Sequence, residues 1–118
     1  MSNQLEWSPS EIKAAVVAYM KMLKKQLEGV NFNKAAVNAE LRDNELSART
    51  KSSVEFRMQN ISAVCEELGM PWLKGYRPAE NVGEQVKQSI AGFINEIKSS
   101  GDFDALLTND IQEAQIEA

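Results

Sequence analysis

Residues 47–69 constrain this chain more than any other stretch. Val54, Met58, Ile61, Cys65 and Leu68 recur there at steps of four, three, four and three, which places all five on one face of a helix. Gly69 stands where a left-handed residue closes a helix, and Pro71 prevents continuation. At the other end Ser52 and Glu55 have the spacing of a capping box, with Thr50 as an alternative cap. The opposite face presents Lys51, Arg57, Asn60 and, further round, Gln59, side chains of the kind that touch phosphates and base edges.

The other segments read as helices built to hold this one. Trp7-Ser8-Pro9-Ser10-Glu11 is a helix start, with Ser8 as N-cap, Pro9 at the first helical position and Glu11 completing a capping box. The helix it opens runs to about residue 28, burying Ile12, Val16, Tyr19, Met20, Leu23 and Leu27 and ending at Gly29. Trp7, just before the cap, is expected to pack onto the first turn. Asn33 caps a short second helix to about residue 42, whose Ala35, Ala36 and Ala39 are small enough for close packing. After the third helix, two prolines, one glycine, Trp72 and Tyr76 within residues 70–78 predict an ordered, non-helical loop folded back on the core. A fourth helix is expected from residue 79 or 81 to 98, with Val82, Val86, Ile90, Phe93, Ile94 and Ile97 on one side and Gly83 and Gly92 each weakening it by about 1 kcal/mol. Residues 102–107 suggest one further turn, and 109–118 an acidic tail.

A chain of 118 residues, 43% hydrophobic, suits one domain with a real core. The reading is therefore an all-α single domain of four main helices, helix-turn-helix-like in outline, covering 7–100, with an acidic turn and tail at 101–118. No run approaches the roughly 20 apolar residues of a membrane span, and the first residues lack the pattern of a signal peptide, so a cytoplasmic location is expected. The net charge of −4 at first argues against a nucleic-acid partner. The charge is unevenly spread, however: residues 11–87 hold twelve bases and ten acids, whereas 88–118 set Lys98 against six acids. A mildly basic body carries an acidic tail.

Catalysis is not expected. With no histidine, Ser-His and Cys-His mechanisms and His-based zinc sites are excluded. Cys65 lies on the apolar stripe and reads as an inert thiol. Glu66 with Glu67, and Asp102 with Asp104, read as solvated side chains, and no phosphate loop, dinucleotide fingerprint or cysteine cluster implies a metal or cofactor. What remains is a constellation. Arg49, Lys51, Ser52 and Ser53 open the third helix, where amides and dipole also favour phosphate. Arg57, Gln59 and Asn60 follow within reach of bases, and Lys74 and Arg77 lie in the loop, where phosphate is again their natural contact. From these residues alone, DNA binding and a plain solvated face stand level. Glu55 is ambiguous between a cap partner and a groove residue.

Two resemblances bear on that choice. The start at Trp7-Ser8-Pro9-Ser10-Glu11 and the run Arg49-Thr50-Lys51-Ser52-Ser53-Val54-Glu55-Phe56-Arg57 resemble in helical order the Myb/SANT-like domains. A closer one rests on Trp7 with Glu11, Phe32-Asn33-Lys34, Ser53-Val54-Glu55-Phe56-Arg57-Met58-Gln59-Asn60-Ile61-Ser62-Ala63-Val64, Leu68-Gly69-Met70-Pro71 and Gly75-Tyr76-Arg77-Pro78. Over about residues 7–98 these strings resemble an N-terminal module of bacterial proteins that carry an HNH nuclease or another restriction-type domain further along. The resemblance implies a DNA-recognition or targeting part of restriction and defence proteins, without the nuclease. The rival expectation is a protein-interaction adaptor that docks through Trp72, Tyr76 and the acidic tail; a third is a small-molecule or modified-base pocket lined by the same two rings.

Overall fold

The cap expected before the first helix forms with both of its reciprocal bonds. In the computed structural model, which describes residues 6–80 and 82–99, Ser8 Oγ accepts from the Glu11 amide at 3.2 Å and Glu11 Oε1 accepts from the Ser8 amide at 2.8 Å. From there α1 (Pro9–Glu28) runs to Gly29, whose φ of 74° and amide bonds to the Gln26 and Lys25 carbonyls close the last turn. Its buried stripe holds Ile12, Val16, Tyr19, Met20 and Leu23 as expected, with Ala15 and Met22 added. Leu27 is not part of it: at 36% exposure it lies beyond the reach of the other helices.

Asn33 caps α2 (Lys34–Asp43) by accepting from the Ala36 amide at 2.9 Å. The face that α2 turns inward carries Leu41 and Asn38, while Ala35, Ala36 and Ala39 are exposed, so the close approach their size allows is not used. Residues 44–50 connect α2 to α3 (Lys51–Glu67). Here the cap differs from the Ser52–Glu55 box. Thr50 Oγ1 accepts from the Ser53 amide and Ser53 Oγ accepts from the Thr50 amide, each at 3.1 Å, and Glu55 stays exposed. The anchor immediately upstream is Arg49, bonded to Glu11 and to the Glu6 carbonyl, which fixes the chain where Thr50 can cap.

α3 is the centre of the molecule and packs against α1, α2 and α4. Val54, Met58, Ile61 and Cys65 are buried as the spacing predicts, whereas Leu68 is 41% exposed, just before Gly69 turns the chain with φ 73°. Every residue from Asn60 to Cys65 is buried.

The segment after α3 is ordered and tied down, as its composition predicts. Leu73 and Tyr76 are buried in the core and Trp72 is half-buried against it. Gln26 of α1 donates to the Trp72 carbonyl at 3.1 Å and accepts from the Lys74 amide at 3.0 Å. The Tyr19 hydroxyl accepts from the Leu73 amide at 2.9 Å and meets Ser62 Oγ at 2.7 Å, joining α1, α3 and the loop at one buried point. Further along, Asn60 Nδ2 donates to the Ala79 carbonyl at 2.8 Å and the Ala79 amide donates to the Gln59 carbonyl at 3.1 Å.

Those bonds hold residue 79 in the loop, so α4 (Glu84–Ser99) begins later than expected. Gly83 precedes the helix and costs it nothing; Gly92 lies inside it on an exposed position. Ile90 and Ile94 are buried, with Val86, Phe93 and Ile97 half-buried against the same core. The turn and tail expected at 102–118 lie outside the described residues. Together the four helices and the ordered loop make one all-α domain.

Candidate nucleic-acid interface

The sequence nominated nine residues for DNA contact, and the fold divides them. Arg49 is held inside the protein. Its Nε donates to Glu11 Oε2 at 3.0 Å, its Nη2 to Glu11 Oε1 at 2.7 Å and to the Glu6 carbonyl at 2.6 Å, and its side chain is 9% exposed. The bond from Arg49 holds the Glu11 carboxyl below its ordinary pKa. Ser53 is half-buried and engaged in the Thr50 cap. Asn60 is fully buried, donating to Ala79 and accepting from Arg57 Nη1 at 3.0 Å. An amide in that position reaches no base edge, so Asn60 is a tether for the loop and Arg49 a tether for Glu11.

Arg57 is also drawn away from the outer face. Its guanidinium lies over the Trp7 ring at 4.8 Å from the centroid, and Arg49 lies over the same ring at 5.1 Å. Trp7 is therefore a core residue as expected, but its partners are two cations that helical spacing did not reveal. Gln59 is half-buried, and its carbonyl holds Ala79. The loop thus crosses α3 beside the side chains proposed to read bases.

Lys51, Ser52, Lys74 and Arg77 are exposed. Among the described residues none of the three cations in this set forms an ion pair. α2 brings them together. Lys34 Nζ donates to the Gly75 carbonyl at 2.7 Å and sits 4.6 Å from the Tyr76 ring centroid, so it bridges α2 to the loop between Lys74 and Arg77. One helical turn further on, Asn38 Nδ2 donates to the Lys51 carbonyl at 3.3 Å and accepts from Arg42 Nε at 2.6 Å. Residues four apart lie about 6 Å apart on a helix, so Lys34, Asn38 and Arg42 form one row on α2 that touches the loop at Gly75 and the start of α3 at Lys51. Glu55 is the acid whose charge reaches Tyr76 there and, with burial, pushes the phenol pKa up. Lys34 and Arg42 are not among the nine, because only the contacts of α2 place them beside the loop and the start of α3.

The remaining chemistry is sparse. Burial pushes the Cys65 thiol up to about 11, so it stays protonated at neutral pH. Burial also pushes the Tyr19 phenol up. Glu67 pairs with Lys87 at 2.8 Å on the surface. Among the described residues no three potential ligands stand together as a metal site, and no helix is long and apolar enough to cross a membrane. No family model, no curated protein and no solved structure matches the chain.

Proposed function

We propose that this domain is a non-catalytic DNA-docking module, the role implied by its resemblance to the targeting part of restriction and defence proteins. It holds duplex phosphates on the α2, α3 and loop side and does not insert α3 into the major groove. The observation that carries the reading is that Lys51, Lys74 and Arg77 are exposed and form no ion pair among the described residues, on two segments that α2 joins through Lys34 and Asn38. Cations that form no ion pair among the described residues keep their charge there for phosphate, whose neutralisation supplies a large share of the affinity of proteins for DNA. The start of α3 adds outward-facing amides and the positive end of a helix dipole. Ser52 and the exposed ring of Phe56 complete the side as polar and apolar contacts. The adaptor reading is less favoured, since the Tyr76 ring it needs is only 5% exposed.

The test is an anisotropy titration with a labelled mixed-sequence duplex at about 50 and 200 mM salt. We expect affinity to fall by an order of magnitude or more over that range. Each of Lys51→Ala, Lys74→Ala and Arg77→Ala should lower the slope of log affinity against log salt by about 0.9. Absence of binding at the lower salt, or a slope untouched by the three substitutions, overturns the reading.

A further inference from the structure

Trp7 carries two arginines, and only one of them is satisfied. Arg49 has the Glu11 carboxylate and a backbone carbonyl. Arg57, packed on the same ring, has one neutral partner, Asn60 Oδ1, and no ion pair among the described residues. Its Nε is buried and has no hydrogen-bond partner among the described residues. Withdrawing a guanidinium from water without a counter-ion is costly, and the nearby Arg49 charge adds to the cost; both depress the Arg57 pKa. A protein that only needed to fill this space would do better with an apolar side chain of the same volume.

Arg57 also borders a groove of about 610 Å³ between the start of α1 and the start of α4. Trp7, Ile12 and Val86 give it apolar walls, and Gln85 and Ser89 supply hydrogen-bonding groups. We propose that this groove is a binding site for a carboxylate carried on an apolar body, such as the acidic or terminal group of a peptide, with Arg57 as the anchoring cation. A bound carboxylate would give the guanidinium the counter-ion it lacks, through the planar fork that suits two oxygens. The apolar remainder of the ligand would cover Trp7 and Val86. A carboxylate is preferred to a phosphate dianion because the Glu6 carboxylate also borders the groove and repels a doubly charged anion more than a singly charged one. The site lies apart from the basic side built on Lys51, Lys74 and Arg77.

The probes are benzoate and N-acetyl-leucine, with inorganic phosphate as the competing anion. The readouts are the Arg57 Nε–H and Trp7 indole signals in nitrogen-proton spectra of the whole chain. Both carboxylates should give saturable shifts at both groups with a dissociation constant in the millimolar range, about −4 kcal/mol. Arg57→Met keeps the packed stem over Trp7 and should abolish saturation. Arg57→Lys keeps the charge without the fork and should weaken binding roughly tenfold. As a second route, Ser89→Trp fills the groove from α4 and should abolish the shifts while Arg57 is intact. Signals that do not move at about 50 mM carboxylate, saturation that survives Arg57→Met, or tighter binding of phosphate would each overturn the proposal.

Discussion

α1 and α3 begin from similar plans and end in different environments. Each opens on a reciprocal cap, carries an apolar stripe at helical spacing and is followed by a glycine in the left-handed region. α1 keeps the plan over most of its length: the stripe from Ile12 to Leu23 is inside, and Lys13, Lys21 and Lys25 are in water. α3 does not. Three helices pack on each of the two, but on α3 the loop also binds Gln59 and Asn60, and every residue from Asn60 to Cys65 is buried. Lys13, Lys21 and Lys25 of α1 are a solvated face; Gln59, Asn60 and Ser62 in the middle of α3 are connectors. Whether a polar side chain on a helix is available to a partner depends on which distant segment returns to cover it.

The contrast can be broken most sharply at Asn60. Asn60→Ala leaves the Ala79 carbonyl without its donor and Arg57 without its acceptor inside the protein, and should lower the unfolding free energy by about 2–3 kcal/mol in urea titrations. Lys21→Ala on the wet side of α1 should change it by less than about 0.5 kcal/mol. Equal stabilities for the two variants would mean that α3 keeps a second solvated face after all. Acid sharpens the comparison where the two helices meet, at Glu11 and Arg49. The folded-state pKa of Glu11 is lowered from its ordinary 4.5, so its contribution is complete above that value and disappears as pH falls through the lowered one. Glu11→Gln should therefore melt below the parent at pH 7, with the gap closing under about pH 4. A gap that persists unchanged into acid would mean that the ion pair is not its source. The smallest effect concerns the start of α3. Thr50→Ala should cost about 1 kcal/mol and Ser52→Ala less than about 0.5, and the reverse order would restore the Ser52 cap.

What was legible in the sequence was local. The Ser8, Pro9 and Glu11 box, the Asn33 cap, Gly29 and Gly69 act within a turn or two of the chain, so spacing alone locates them. The four-helix count and the ordered loop followed from the same local signals. The failures share a different cause. Ser52 and Thr50 are chemically similar caps, and the choice between them is made by Arg49 reaching Glu11, 38 residues away in sequence. The fourth helix begins later than its spacing predicts because Ala79 is held by Gln59 and Asn60 of α3. The DNA constellation lost Arg49, Ser53 and Asn60 for the same reason, and Arg57 went to a ring, Trp7, that helical periodicity does not connect with it. Lys34 and Arg42 entered only through contacts that α2 makes with the loop and the start of α3.

The bond from the Leu73 amide to the Tyr19 hydroxyl spans 54 residues of sequence, and the Ser62 contact beside it spans 43. The Ser62 contact cannot exist until α1 and α3 have docked, nor the Leu73 bond until the loop reaches α1, so one hydroxyl ties the native position of the loop to both helices. The same arrangement acts in reverse. The Leu73 hydrogen has a buried side-chain acceptor on another helix and no route to water while that helix stays in place. Its exchange with deuterated solvent should report the rarest opening of the domain, leaving one loop amide as slow as those at the middle of α3.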